Sequence, residues 1–293
     1  MAAARKRSSG ARGSAVQTVA DPALRIDPDR VTSILTSFLR SESSRTGRTR
    51  LVVGLSGGLD SSVAASLAVR AQGHEQVLGV LMPYRSSSAD SLRHARLLAR
   101  RLEIHTEEID ITPMVDAYFA SAPRASRGRR GNKMSRERMS ILYDLSQARK
   151  ALVVGTSNKT ELLLGYGTLH GDLASALNPI GDLYKTQVRQ LAAYLKVPKP
   201  IRDKPPSADL WPGQTDEQEL GLVYAEADRL LYWMFDRRTP EKELLESGFP
   251  RRTIRRIRER VRRSQFKRRM PLIAKVSLRT VGIDFRYPRD WGT

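Results

Sequence analysis

The sequence predicts an α/β protein: a doubly wound parallel sheet with helices on both faces, followed by a mainly helical C-terminal part. Three observations carry that prediction. Short β-branched runs alternate with segments of helical periodicity from residue 50 to residue 155, the pattern of parallel strands joined by crossover helices. The first run ends in a loop rich in glycine and serine that opens a helix. A length of 293 residues with 40% hydrophobic side chains is enough to bury a sizeable core.

The elements follow in order. Residues 31–40 carry apolar side chains at helical spacing. Residues 50–55 form a short β-branched run ending at glycines and read as a buried strand. A helix over 60–71, a strand over 76–82 and a helix over 90–102 come next, then a strand over 104–111, a helix over 134–149 and a strand over 151–155. Beyond Gly181 the chain reads as helical, with proline-rich breaks at 198–206 and at Pro212. Arg124, Arg127, Arg129 and Arg130, interspersed with Gly128 and Gly131, read as a mobile basic loop expected to close over substrate phosphates. Residues 251–269 are basic at almost every polar position, with Glu259 the one acid. Ile254, Ile257 and Val261 fall on one face there, which predicts an amphipathic basic helix. Residues 275–285 alternate partly and suit a strand or an ordered arm, and the aromatics of residues 286–291 call for burial on the domain or across a subunit boundary. The expected organisation is a basic tail over 1–25 and a single domain over 26–293, with a C-terminal arm from about residue 266.

Composition narrows the function. Lysine and arginine number 51 against 31 acids, a formal charge of +20, so anionic partners are expected. There is no cysteine, which excludes disulfides, thiolate-held zinc or iron–sulfur clusters, and a cysteine nucleophile in this chain. No stretch is apolar enough to span a membrane, and no apolar leader core is legible. Arg5, Lys6, Arg7 and Arg12 with no nearby acid match an organelle transit peptide in composition. The preferred reading is a disordered basic tail, and a cytoplasmic location is the expectation.

The sharpest motif is Gly54-Leu55-Ser56-Gly57-Gly58-Leu59-Asp60-Ser61-Ser62. A strand, a short glycine loop and a helix N-terminus aim backbone N–H groups at one spot, an arrangement suited to phosphate. Asp60 beside a phosphate asks for an intervening cation, so it reads as a magnesium ligand. The loop is neither a Walker motif nor a dinucleotide fingerprint.

The segment resembles the Ser-Gly-Gly-x-Asp-Ser loop of the N-type ATP pyrophosphatases, which split ATP between its α and β phosphates. Gly131-Asn-Lys-Met-Ser-Arg-Glu-Arg-Met139, Gly155-Thr-Ser-Asn-Lys-Thr-Glu161, Asn178-Pro-Ile-Gly-Asp-Leu-Tyr-Lys185 and the run from Lys204 to Gly221 are similar to the ammonia-dependent NAD synthetases. The resemblance covers about residues 26–267 and implies the adenine-nucleotide α-hydrolase-like fold. It implies that the nicotinate carboxylate of deamido-NAD attacks the α-phosphate of ATP, that pyrophosphate leaves, and that ammonia displaces AMP to give NAD. It implies ATP contacts from the glycine loop, Thr156, Lys185 and Ser207, deamido-NAD contacts from Arg136 and Lys267, magnesium on Asp60 and Glu161, and a homodimer. Lys185 then neutralises phosphate as a point charge, and Asp172 is a candidate to hold ammonium or take its proton.

Three positions depart from that family's pattern. Leu169, Ala176 and Phe266 stand where its members commonly have a Lys, an Asp and a His on the acceptor side. The alternatives are an ATP pyrophosphatase that adenylates another carboxylate, or a basic nucleic-acid-binding protein, for which the 6% aromatic content offers few stacking groups. Relatives that use glutamine carry a cysteine glutaminase domain. A cysteine-free chain of this length therefore implies free ammonia, or a separate subunit, as the nitrogen source.

Overall fold

The computed structural model describes residues 21–281, except 212 and 270. Four strands run through them: β1 (Arg50–Gly54), β2 (Val77–Leu81), β3 (His105–Glu108) and β4 (Ala151–Val154). They form one sheet in the order β3-β2-β1-β4, and every pairing is parallel. Helix α1 (Pro28–Arg45) precedes β1. Helices α2 (Leu59–Gln72) and α3 (Ala89–Leu102) carry the chain outward from β1 to β3. Helix α4 (Thr112–Phe119) and the long α5 (Arg127–Arg149) then return it to β4, on the other side of β1. Strand order therefore reverses between β1 and β4, and crevices for ligands open at the carboxyl ends of strands flanking such a reversal.

Both faces of the sheet are covered. Leu51, Val53, Val77 and Leu81 pack on one face with α1, α2, α3 and a later helix, α7 (Lys185–Tyr194). Val52 and Val80 pack on the other face with α4 and α5. Burial on both sides explains why these strands read as continuous apolar runs. The helices that follow β4 among the described residues are, besides α7, α6 (Lys159–Leu164), α8 (Lys199–Arg202), α9 (Asp216–Leu220), α10 (Tyr224–Leu231), α11 (Glu241–Glu246) and α12 (Arg251–Arg263). Leu164, Leu220, Leu231, Ile254, Ile257 and Val261 gather there into a separate core cluster.

Helices α1, α2, α3 and α5 extend beyond their expected bounds by a residue or more, while each strand is shorter than expected. Helix α1 begins at Pro28 because the Asp27 carboxylate accepts from the Asp29 and Arg30 amides at 3.1 and 3.2 Å, an N-cap followed by proline. Strand β3 is shorter than the expected 104–111. It is an edge strand with mostly exposed side chains, and Asp110 turns the chain by accepting from Thr112 N at 2.8 Å.

The basic loop expected around Arg124–Arg130 is corrected. From Arg127 onward it is the first turn of α5, capped by Ser126, which accepts from Arg129 N. The Arg130 guanidinium lies 4.7 Å from the centre of the Phe119 ring and donates to Pro123 O at 2.9 Å. That stacking holds cations at a helix N-terminus, where the macrodipole disfavours them.

The amphipathic basic helix is present as α12, with Ile254, Ile257 and Val261 buried, and it ends at Arg263 before a 3₁₀ turn over Gln265–Arg268. Over the described part of 275–285 there is no strand, and Val276 and Leu278 are fully exposed. The expectations for residues 1–20, for Pro212 and for the aromatics of 286–291 fall outside the described residues. Among the described residues, no helix is long and apolar enough to cross a membrane.

Candidate active site

The reversal between β1 and β4 opens into a cleft of about 490 Å³. Its floor is the glycine loop. Gly54, Leu55, Ser56, Gly58, Leu59, Asp60 and Ser61 line it. Gly57 has a φ of +71°, and a Cβ there would fall 2.0 Å from Ser91 O, so the turn needs glycine both for its backbone and for its close approach. Ser56 Oγ lies 3.0 Å from Ser61 Oγ and accepts from Gly58 N at 3.3 Å. Ser62 does not line the cleft: it is fully buried and donates to Gly58 O at 2.7 Å, bracing the first turn of α2.

The cleft's charged centre joins three distant parts of the chain. Lys185, the first residue of α7, is buried and forms ion pairs with Asp60 of α2 and Glu161 of α6, the latter at 3.3 Å. Asn158 and Glu161 form a capping box at the start of α6, with Glu161 N donating to Asn158 Oδ1 at 3.0 Å and Asn158 N to Glu161 Oε2 at 3.3 Å. Asn158 Nδ2 also donates to Asp60 at 3.0 Å, so one cap residue aims both carboxylates. Burial works against the Lys185 charge, but Asp60 and Glu161 outweigh it and hold the ammonium above its ordinary range. Burial pushes the Glu161 carboxyl up, the Lys185 charge opposes that, and the nearby Asp60 charge adds to it.

A second layer supports the centre. Asp228 of α10 is fully buried and accepts from Thr160 Oγ1 at 2.5 Å and Thr186 N at 2.8 Å, while Thr160 Oγ1 accepts from Lys185 N at 3.0 Å. One carboxylate thus fixes the residues beside Glu161 and Lys185. Lys185 Nζ also sits 5.1 Å from the Tyr224 ring centre, and Tyr224 donates to Asp216 at 3.1 Å. Burial raises the Asp216 carboxyl, against the nearby Lys185 and two tyrosine hydroxyls.

The cleft is walled in part by the 165–173 segment. Asp172 lines it, with Oδ1 accepting from Ser135 Oγ at 2.6 Å and Thr168 N at 2.9 Å. Lys267 also lines it, but donates to Gly165 O at 2.8 Å and Gly167 O at 2.7 Å, which makes it a clamp on that segment. Burial lowers its ammonium, and Asp172 acts the other way. Thr156 and Ser207 line the cleft, and Ser207 Oγ accepts from Asp209 N at 3.1 Å. Arg136 is exposed, lies outside the lining and donates to Leu169 O at 3.2 Å. Leu169, Ala176 and Phe266 are also outside the lining, and Phe266 is exposed.

Sequence reasoning missed several of these groups. Arg138 lines the cleft, donates to Met82 O at 3.0 Å and has its guanidinium lowered by burial. It stands two residues from Arg136 in the same motif, which was the available signal. Asp228 had one too: it shares a helix with the buried Ala227, Leu230 and Leu231, and an acid among buried apolar neighbours asks for a partner.

The two carboxylates on Lys185 fit a magnesium ion of the kind bound by one or two carboxylates plus substrate phosphates. Among the described residues no group of three or more His, Cys, Asp or Glu side chains gathers for a metal, so the phosphates would have to complete the shell.

Comparison with known proteins extends this picture. The NAD synthase family profile matches residues 31–271. The NH(3)-dependent NAD(+) synthetase of Chlorobium phaeovibrioides is 58% identical over 261 residues, covering 89% of this chain and 94% of that protein. An NMN synthetase structure from Francisella tularensis superposes with a TM-score of 0.76 at 34% identity, covering 85% of this chain and 99% of that one. An NH3-dependent NAD synthetase from Campylobacter jejuni gives a TM-score of 0.73 at 32% identity, covering 86% of this chain and 100% of its own. With its glycine loop at the strand reversal and its buried lysine held by two carboxylates, the chain belongs to the NAD synthase family.

Proposed function

We propose that this cleft converts deamido-NAD, ATP and ammonia into NAD, AMP and pyrophosphate through an adenylate. The observation that carries the reading is the junction of the glycine loop with Asp60, Lys185 and Glu161 at the strand reversal. It supports a triphosphate laid along the loop, where backbone N–H groups and the α2 N-terminus meet its charge. Thr156, Ser207 and the glycine loop hold ATP. Arg136 and Lys267 serve the acceptor, Arg136 by bracing the Leu169 backbone and Lys267 from the cleft wall.

A carboxylate oxygen of the nicotinate ring attacks the α-phosphorus, and the bond to the β-phosphate oxygen breaks. Ammonia then attacks the activated carbonyl carbon, AMP leaves with the bridging oxygen, and the surplus ammonium proton passes to Asp172 or to solvent. Lys185 stays charged beside the reacting phosphates, because its two carboxylates keep it protonated. Magnesium bound by Asp60 and Glu161 would supply charge stabilisation to the phosphate oxygens.

Purified protein given ATP, magnesium, deamido-NAD and ammonium should release NAD and AMP in equal amounts. Glutamine in place of ammonium, or EDTA in place of magnesium, should give neither product. Release of ADP, or of AMP only with an unrelated acid, would overturn the reading. Because one structural neighbour is named an NMN synthetase, the deamidated mononucleotide is the informative control acceptor.

We further propose that residues 26–293 act as one domain in the cytoplasm and that the protein is a homodimer. The exposed side chains of Leu272, Val276 and Leu278 support an arm that is covered by a second copy. Light scattering should give twice the mass of one chain; the mass of a single chain would contradict it.

A further inference from the structure

The charged centre leaves a deficit. Lys185 is balanced by Asp60 and Glu161, so it adds no net positive charge to the place where a triphosphate would lie. Of the other cations that line the same cleft, Arg138 and Lys267 are engaged by backbone carbonyls; the remaining three are Arg189, one turn after Lys185 on α7, Arg202 at the end of α8, and Lys204. None of them forms an ion pair with a described residue.

Their placement points to the phosphate end. Lys204 Nζ donates to Ser91 Oγ at 2.6 Å, and Ser91 is the residue whose backbone presses on Gly57. Lys204 therefore stands close to the glycine loop while lining the cleft. Arg189 shares a helix face with Lys185, as residues four apart do.

Arg202 is the most telling. Its Nε is buried and has no hydrogen-bond partner. Other arginines that reach inward in this protein donate to backbone carbonyls: Arg138 to Met82 O, and Arg268 to Leu162 O, Leu163 O and Val261 O. A buried guanidinium N–H left unpaired is costly, and a turn of the side chain toward an anionic ligand with several oxygens would satisfy it. The acceptor-side groups, Asp172 and Lys267, are tied instead to the wall built on residues 165–173.

We propose that Arg202, with Arg189 and Lys204, grips the β- and γ-phosphates of ATP and then the departing pyrophosphate. The inference rests on the reading of the cleft as an ATP site that releases pyrophosphate. Its test needs no turnover, so it fails or survives separately from the identity of the acceptor.

The test is calorimetric titration of the full-length protein with magnesium pyrophosphate and, separately, with AMP. R202Q should weaken pyrophosphate binding about tenfold or more, as expected for loss of charge-assisted hydrogen bonds. AMP binding should change less than about twofold, a difference too small to count as loss of a bond. R202K should recover part of the pyrophosphate affinity, since it keeps the charge and loses the fork. Equal weakening of both ligands, unchanged pyrophosphate binding, or weakening confined to AMP would each overturn the proposal. If R202Q does not fold, R189Q, at an exposed position, carries the same comparison: selective loss of pyrophosphate supports the proposal and an unchanged affinity counts against it.

Discussion

Lys185→Met should lower stability by about 3 kcal/mol, the lower end of the range for breaking a buried ion pair, and should cut AMP formation by about 100-fold or more. The reason is what it leaves behind. Asp60 and Glu161 converge on one ammonium whose side chain is only 4% exposed, while their own side chains are 16% and 15% exposed. Without that ammonium, two carboxylates face each other in a partly dry site.

The sign with pH follows from Glu161. Its carboxyl is already raised by burial and by Asp60, and Lys185 is the main influence holding it down. The variant raises it further. A folded-state acid with a raised pKa loses stability as pH rises through that value, so the variant's deficit is largest at neutral and alkaline pH and shrinks as pH falls. K185M/E161Q should recover much of the stability and none of the activity. Urea midpoints and AMP release measure the two effects, and a K185M protein as stable as wild type would show that the triad is not a buried charge centre.

Gly57→Ala should abolish turnover while most of the fold survives. An L-residue at a φ of +71° carries about 1–2 kcal/mol of backbone strain. The larger effect is collision. The new Cβ would fall 2.0 Å from Ser91 O and 2.8 Å from Ser91 C, and backbone cannot swing aside as a flexible side chain does. The loop must lift away from α3, carrying the Gly58 amide and Ser56 out of register. Gly47→Ala is the control: its φ is +67°, but nothing lies within 4 Å of the added atom. It should lose about 1–2 kcal/mol of stability from backbone strain and leave the KM for ATP unchanged. A Gly57→Ala protein with a normal KM for ATP would show that the loop does not form the phosphate cradle.

The sequence was legible where physics is local. Strand β1, the glycine loop and α2 follow one another directly, so periodicity and turn chemistry sufficed. The apolar face of α12 was readable from the spacing of Ile254, Ile257 and Val261. Arg127–Arg130 misled, because glycine and repeated arginine read as loop. What makes the segment helical is the Ser126 cap and the stacking of Arg130 on Phe119, the latter a contact between two helices.

Beyond the glycine loop and Asp60, the site was legible only through resemblance. Lys185 lies 125 residues from Asp60, and Asp228 lies 68 from Thr160, and no spacing rule joins them. Lys267 matched a binding motif, yet its ammonium is engaged by carbonyls about 100 residues away. Arg202 was silent because a missing partner is visible only once everything around it has been placed.

The most direct test of the adenylate pathway uses deamido-NAD with both oxygens of the nicotinate carboxylate labelled with ¹⁸O, together with ATP, magnesium and ¹⁵N-ammonium. Mass spectrometry of the products should find one ¹⁸O in AMP, one ¹⁸O in the carboxamide of NAD, and ¹⁵N in that same carboxamide. Label in inorganic phosphate accompanied by ADP, or AMP formed without ¹⁸O, would contradict attack of the carboxylate on the α-phosphate in this cleft.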